Sequence, residues 1–270
     1  MAHTVLLVGC GNMGFAMLKG WLSQDTALRV YGVEPAEALR TRAADAGAQA
    51  VATADALPDD LAPDLVFLAV KPQVMADVVP AYAYLAGGPT TFVSIAAGTM
   101  MASLASMLPG PTPLIRCMPN TPAAIGAGMM VCCANDHASD QAKALASTLL
   151  SASGAVEWID DEVLMDAVTA VSGSGPAYVF HLIECLGQAG AEMGLPADLA
   201  AKMALQTVMG AGRLAAEGDT PAGTLREQVT SPGGTTAAAL GVLMAEGGLQ
   251  PLMTRAVAAA RDRGIELGKA

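Results

Sequence analysis

The sequence predicts an α/β chain in two parts: a doubly wound, mostly parallel sheet over residues 1–160, then an all-helical domain over residues 161–270. Three observations predict it. Short, continuous apolar runs alternate with helix-length stretches through the first half. The first run ends in a glycine-rich turn that opens a helix. Strand signals then stop near residues 157–161, and long Ala/Leu/Met stretches take over.

Residues 4–8 form an apolar run too short for a helix, closed by Gly9. Residues 13–22 read as a helix, 28–33 as a second strand and 35–46 as a second helix. Residues 65–70 give a strongly apolar strand ended by Lys71-Pro72, and 91–95 another ended by Ala96-Ala97-Gly98. Residues 114–117 and 129–133 read as further strands. Because these runs are continuous rather than alternating, both faces of the sheet are expected to be covered.

The helical half reads as helices over residues 161–170, 176–193, 196–216, 224–230, 235–245 and 249–267. Pro176, Pro196 and Pro221 stand where a helix start tolerates proline, and Pro232-Gly233-Gly234 separates two helices. Residues 168–186 are apolar nearly all round, and such a helix must be buried on most sides. A lone domain of this size has too little interior for several of them. A second copy of the chain is the expected cover, which makes this a dimerisation domain.

Composition narrows the function. The chain is 53% hydrophobic and 14% charged, which excludes disorder. Aromatics are 4%, so the core must come from Ala, Val, Leu and 16 Met. No apolar run reaches the ~18 residues of a membrane span, and the first residues lack the basic region of a signal peptide. A net charge of −11 argues against a nucleic-acid partner, although local backbone N–H groups can still hold an anion. Five cysteines without a Cys-x-x-Cys pair argue against a disulfide framework and for a reduced, cytoplasmic setting. With three histidines and no clustered ligands, no metal site is expected.

Gly9-Cys10-Gly11-Asn12-Met13-Gly14 is G-x-G-x-x-G between a strand and a helix, the context that makes it a dinucleotide fingerprint and the sheet Rossmann-like. Gly9 permits the turn, Gly11 lets backbone approach a pyrophosphate, and Gly14 lets helix and strand pack closely. Glu34 ends the second strand about 20 residues on, where an acid can bond the adenosine ribose 2′-OH. A carboxylate there repels a 2′-phosphate and favours NADH. Arg29, Arg40 and Arg42 are near in sequence and could accept that phosphate instead, so NADPH and NADH both stay open. Ala69-Val70-Lys71-Pro72 and Ile95-Ala96-Ala97 close two strands, so they are expected to line the nicotinamide half.

Three dense segments remain: Arg116-Cys117-Met118-Pro119-Asn120-Thr121-Pro122, Ser172-Gly173-Ser174-Gly175-Pro176-Ala177-Tyr178 and Thr230-Ser231-Pro232-Gly233-Gly234-Thr235-Thr236. The last two put small hydroxyl residues and free N–H groups at helix starts. That is either a carboxylate site or ordinary helix capping.

These segments, with Ser94-Ile95-Ala96-Ala97-Gly98 and residues 225–240, run in one order along a chain that resembles the pyrroline-5-carboxylate reductases. The resemblance implies NAD(P)H-dependent reduction of 1-pyrroline-5-carboxylate to L-proline, the last step of proline biosynthesis. It implies a homodimer, with decamers as a further assembly. It also implies that Ser231, Gly234, Thr235 and Thr236 hold the substrate carboxylate, and that the Thr236 hydroxyl, the catalytic group, bonds the ring nitrogen. Glu162 and Gln228 match positions near the substrate. Many members carry Ser or Thr after the second strand and favour NADPH, whereas this chain has Glu34-Pro35. A β-hydroxyacid dehydrogenase shares the two-domain plan. That family resembles this chain less, because its helix lysine is absent here until Lys202.

Overall fold

The computed structural model describes residues 3–24 and 27–268. Met1 and Ala2, which begin the segment read as lacking a leader, lie outside the described residues. Eight strands form one sheet: β1 (Thr4–Val8), β2 (Arg29–Val33), β3 (Gln49–Val51), β4 (Leu65–Leu68), β5 (Thr91–Ser94), β6 (Leu114–Met118), β7 (Gly128–Ala134) and β8 (Gly154–Trp158). Their order is β3-β2-β1-β4-β5-β6-β7-β8. Every neighbouring pair is parallel except β6 with β7. The chain moves outward from β1 through β2 to β3, then returns to the other side of β1 as β4. The gap between the carboxyl ends of β1 and β4 is therefore the switch point at which such sheets bind ligands.

The inner strands match the expected runs because both of their faces are covered. Along β1, Val5 and Leu7 enter one apolar layer with Trp21, Phe67 and Ile115, while Leu6 and Val8 enter the other with Val66, Phe92 and Tyr82. Each such side chain contributes roughly 1.5–3 kcal/mol when fully buried. The sequence reading finds neither β3 nor β8. These are the two sheet edges, and their residues are only half-buried or exposed, so no continuous apolar run marks them.

The helices are α1 (Asn12–Gln24), α2 (Glu37–Asp45), α3 (Met75–Val78), α4 (Met101–Met107), α5 (Asp140–Ser151), α6 (Met165–Val168), α7 (Gly175–Glu192), α8 (Ala197–Ala216), α9 (Ala222–Gln228), α10 (Thr235–Leu243) and α11 (Leu249–Leu267). The chain forms two compact units. One runs to Ser174 and takes in the chain again from Ala260, and the other is Gly175–Ala259. The change in sequence character near residue 161 thus precedes the division between units. The stretch expected as one helix over 161–170 is a 3-10 turn (Glu162–Leu164), then α6, then a π-helical turn (Thr169–Gly173).

In the second unit α7 packs on α8 through small residues. A Cβ on Gly190 would lie 3.2 Å from the Ala200 Cβ. Other faces of these helices stay bare in the single chain: Phe180 on α7 is 59% exposed and Val242 on α10 is 73% exposed.

Candidate active site

The glycine turn after β1 is built for close approach. Gly9 has φ +93°, a conformation that other residues rarely adopt, and its N–H donates to the Val33 carbonyl at 2.9 Å. A Cβ on Gly9 would lie 2.8 Å from the Ala69 carbonyl oxygen, so the exits of β1 and β4 are in contact. A Cβ on Gly14 would lie 2.2 Å from the Gly9 carbonyl oxygen, which no relaxation short of moving backbone can cure. Gly11 is different, with no atom within 4 Å of where its Cβ would stand. Its empty side faces out, and α1 begins there: the Phe15 N–H donates to the Gly11 carbonyl at 2.8 Å. Cys10 is buried, Asn12 opens α1 exposed, and Met13 packs on the core layer containing Trp21.

A cleft of about 490 Å³ lies over this turn, lined by Gly9, Gly11, Glu34, Ala69, Val70 and Lys71 among others. Seven of the residues expected at the cofactor are therefore gathered at the switch point or form its floor, counting Gly14 beneath it. The cradle fits a dinucleotide: open backbone at Gly11, a helix N-terminus behind it, and clear space where a Gly11 side chain would stand. Pro72 and Ala97 line a second cavity of about 660 Å³ with Gln73, Thr99, Asp166 and Thr169. Ile95 and Ala96 are buried at the end of β5.

Glu34 is only 7% exposed. Its Oε2 accepts the Cys10 N–H at 2.8 Å, and its Oε1 accepts the Ala36 N–H at 3.0 Å. Arg40 Nη1 donates to the carbonyls of Glu34 and Pro35, both at 2.9 Å. Arg42 Nη2 donates to the Cys10 carbonyl at 2.8 Å, and its guanidinium sits 4.1 Å over the Phe15 ring. Burial, with Glu34 adding and Arg42 opposing, pushes the Cys10 thiol up to about 11. It is a neutral packing group at physiological pH, seated against Gly32. Burial likewise pushes Cys133 up to about 12, with the Glu162 charge adding and Arg116 opposing.

Glu162 belongs to the first unit and is held there. Its Oε1 accepts Arg116 Nη1 at 2.9 Å and the Met101 backbone N–H at 2.8 Å. Asn120 is the other organiser of this end. Its Nδ2 donates to the Ser172 carbonyl at 3.1 Å and hydroxyl at 3.3 Å, and its Oδ1 accepts the Met129 N–H at 2.9 Å. One side chain thus ties β7 to the π-helical turn. The sequence reading singles out both motifs but gives Arg116 and Asn120 no role. A charged residue inside an otherwise apolar strand was the signal for Arg116.

Gln228, Ser231, Gly234, Thr235 and Thr236 lie in the second unit. Gln228 ends α9, exposed. Gly233 takes φ +70° and Gly234 opens α10 without any side-chain cap. Among the described residues the Thr235 and Thr236 hydroxyls have no hydrogen-bond partner, so ordinary capping does not account for them. No group of three or more described His, Cys, Asp or Glu residues could hold a metal ion, and no described helix is long and apolar enough to cross a membrane.

A doubly wound sheet, a bare glycine cradle at its switch point and a separate helical unit define an NAD(P)-dependent oxidoreductase, and residues 4–106 match the model of NADP oxidoreductases described as coenzyme F420-dependent. Residues 162–267 match the pyrroline-5-carboxylate reductase dimerisation model. A pyrroline-5-carboxylate reductase of Pseudomonas aeruginosa is 40% identical over 98% of this chain and 97% of its own length. A solved pyrroline-5-carboxylate reductase from Coxiella burnetii superposes with a TM-score of 0.93 at 30% identity, covering 99% of both chains. The Plasmodium falciparum pyrroline carboxylate reductase with NADP bound gives a TM-score of 0.81 at 27% identity, covering 98% of both. The chain belongs to the pyrroline-5-carboxylate reductase family.

Proposed function

We propose that this protein reduces 1-pyrroline-5-carboxylate to L-proline with NADH or NADPH, closing proline biosynthesis. Family membership supports the reaction. The observation that carries the substrate reading is the start of α10: helix N–H groups without a side-chain cap, beside two hydroxyls with no partner. That arrangement suits a carboxylate.

When bound, the cofactor supplies hydride to the imine carbon. The chain's residues do the rest. Gly9, Cys10, Gly11, Asn12, Met13 and Gly14 seat the phosphates, and Glu34 meets the adenosine ribose. Ala69, Val70, Lys71, Pro72, Ile95, Ala96 and Ala97 border the nicotinamide half. Ser231, Gly234 and Thr235 hold the substrate carboxylate, and the Thr236 hydroxyl bonds the ring nitrogen. Glu162 and Gln228 complete the substrate surroundings. An imine already protonated on nitrogen is electrophilic. Its C=N electron pair returns to nitrogen as hydride adds to carbon, giving the secondary amine with no further proton transfer. Positioning then does most of the catalysis.

The functional domains are read as 1–160 for the cofactor and 161–270 for substrate and dimerisation. The bare apolar faces of α7 and α10 support a homodimer, with a decamer of five dimers as the larger assembly. Five free cysteines support a cytoplasmic setting. The test is NADH and NADPH consumption with 1-pyrroline-5-carboxylate, with proline measured as product. A folded protein that binds cofactor but forms no proline sinks the reading.

A further inference from the structure

We infer that the fixed carboxylate of Glu34 makes NADH, not NADPH, the preferred cofactor of this chain. The inference rests on the reductase reading above and departs from the NADP named for the matching oxidoreductase model and for the Plasmodium falciparum structure.

The two cofactors differ only at the adenosine ribose, which carries a 2′-hydroxyl in NADH and a 2′-phosphate in NADPH. The residue that directly follows the second strand meets that position. Here it is Glu34, in the wall of the cleft beside Gly9 and Gly11. Each of its oxygens is engaged by one backbone N–H, from Cys10 and from Ala36. A carboxylate oxygen has two lone pairs, so each keeps one for a ribose hydroxyl. The same two bonds stop the side chain from swinging aside for a phosphate. If it moved, the Cys10 and Ala36 donors would lose their acceptor, and the charge would stay beside the site. A dianionic phosphate would therefore meet a buried, anchored negative charge.

The nearby arginines do not rescue it. Arg29 opens β2, and four extended steps, about 13 Å, separate it from Val33 at the other end. Arg42 is committed to the Cys10 carbonyl and the Phe15 ring. Arg40 Nη1 donates to the Glu34 and Pro35 main-chain carbonyls, which anchors its cation on the backbone of the very residue whose carboxylate it would have to outweigh.

Isothermal titration of NADH and NADPH, without substrate, tests this on the wild-type protein and on Glu34→Gln, Glu34→Ser, Arg40→Ala and Arg29→Ala. The wild type should bind NADH at least about tenfold tighter, a modest expectation for one close like-charge contact. Glu34→Gln, which keeps the volume and loses the charge, should narrow that ratio, and Glu34→Ser should narrow it further or invert it. Arg29→Ala should leave it unchanged. Equal or tighter NADPH binding by the wild type overturns the inference without recourse to any variant. NADPH preference that vanishes in Arg40→Ala would hand the role to Arg40 and overturn it equally. Selective NADH binding with no proline formed would overturn the reductase reading and leave the cofactor inference standing.

Discussion

The Arg116 guanidinium and the Glu162 carboxylate meet at 2.9 Å, with Arg116 2% and Glu162 16% exposed. The pair joins the middle of β6 to the turn before α6, and through the Met101 N–H to the start of α4. Removing one partner strands the other in a poorly hydrated place. Arg116→Met should lower the unfolding free energy by about 3 kcal/mol. Glu162→Gln, which can still accept from Met101, should cost about 1–2 kcal/mol. In urea titrations the double variant should cost less than the sum, and strict additivity would show that the pair is not coupled.

The glycine cradle separates packing from binding. Gly14→Ala must push the Gly9 backbone, so it should lower both stability and cofactor affinity. Gly11→Ala meets nothing within 4 Å and should unfold at the same urea concentration as the wild type. Its methyl would occupy the approach to the phosphates, so cofactor affinity should fall about tenfold or more. Unchanged titration curves for Gly11→Ala would place the pyrophosphate elsewhere.

Thr236→Ala tests the proposed chemistry. With its hydroxyl on the ring nitrogen, the variant should lose about 10- to 100-fold in kcat, roughly 1.4–3 kcal/mol at the transition state. The cofactor dissociation constant should not change. Wild-type kcat in this variant removes Thr236 from the reaction.

Alkali should unfold the first unit through its thiols. Cys10 is raised to about 11 and Cys133 to about 12, both from 9.0 and both chiefly by burial. A raised folded value means the native state holds the proton more tightly than the unfolded chain. The stabilisation is complete below pH 9 and drains away as pH climbs toward 11 and 12. Urea midpoints measured from pH 8 to 11 should therefore fall, and less steeply in Cys10→Ala. Parallel slopes would exclude Cys10 as a source.

The inner strands were legible because a run such as Val5-Leu6-Leu7-Val8 is covered on both faces and tolerates no polar residue. The edge strands were not. Only one neighbour orders Gln49–Val51, and Gly154–Trp158 alternates half-buried with exposed positions, so nothing in composition sets them off. The site divided in the same way. Glycines at fixed spacing announce their backbone duty, and Gly9, Gly11 and Ala69 do meet at one cleft. The clamp on Glu34 and the Arg116–Glu162 pair join residues 24 and 46 positions apart, and no local pattern records such a meeting. The π-helical turn was hidden too, since residues 169–173 carry nothing that distinguishes a wide turn from an ordinary one. Its geometry is secured from outside, by Asn120.

The last turns of α11 belong to the first unit, where a Cβ on Gly264 would lie 3.2 Å from the Asp166 Oδ1 and one on Gly268 would lie 3.3 Å from the Gly98 carbonyl oxygen. The nucleotide-binding unit is therefore interrupted in sequence and closed by residues made after the second unit. Domains made first usually fold first as the chain emerges. This one can assemble its sheet early, but the wall contributed by Gly264, Leu267 and Gly268 arrives only after the whole second unit, Gly175–Ala259, has been made. A chain stalled within the second unit would thus carry a glycine cradle beside an unfinished cavity, which makes completion of the first unit wait on synthesis of the second.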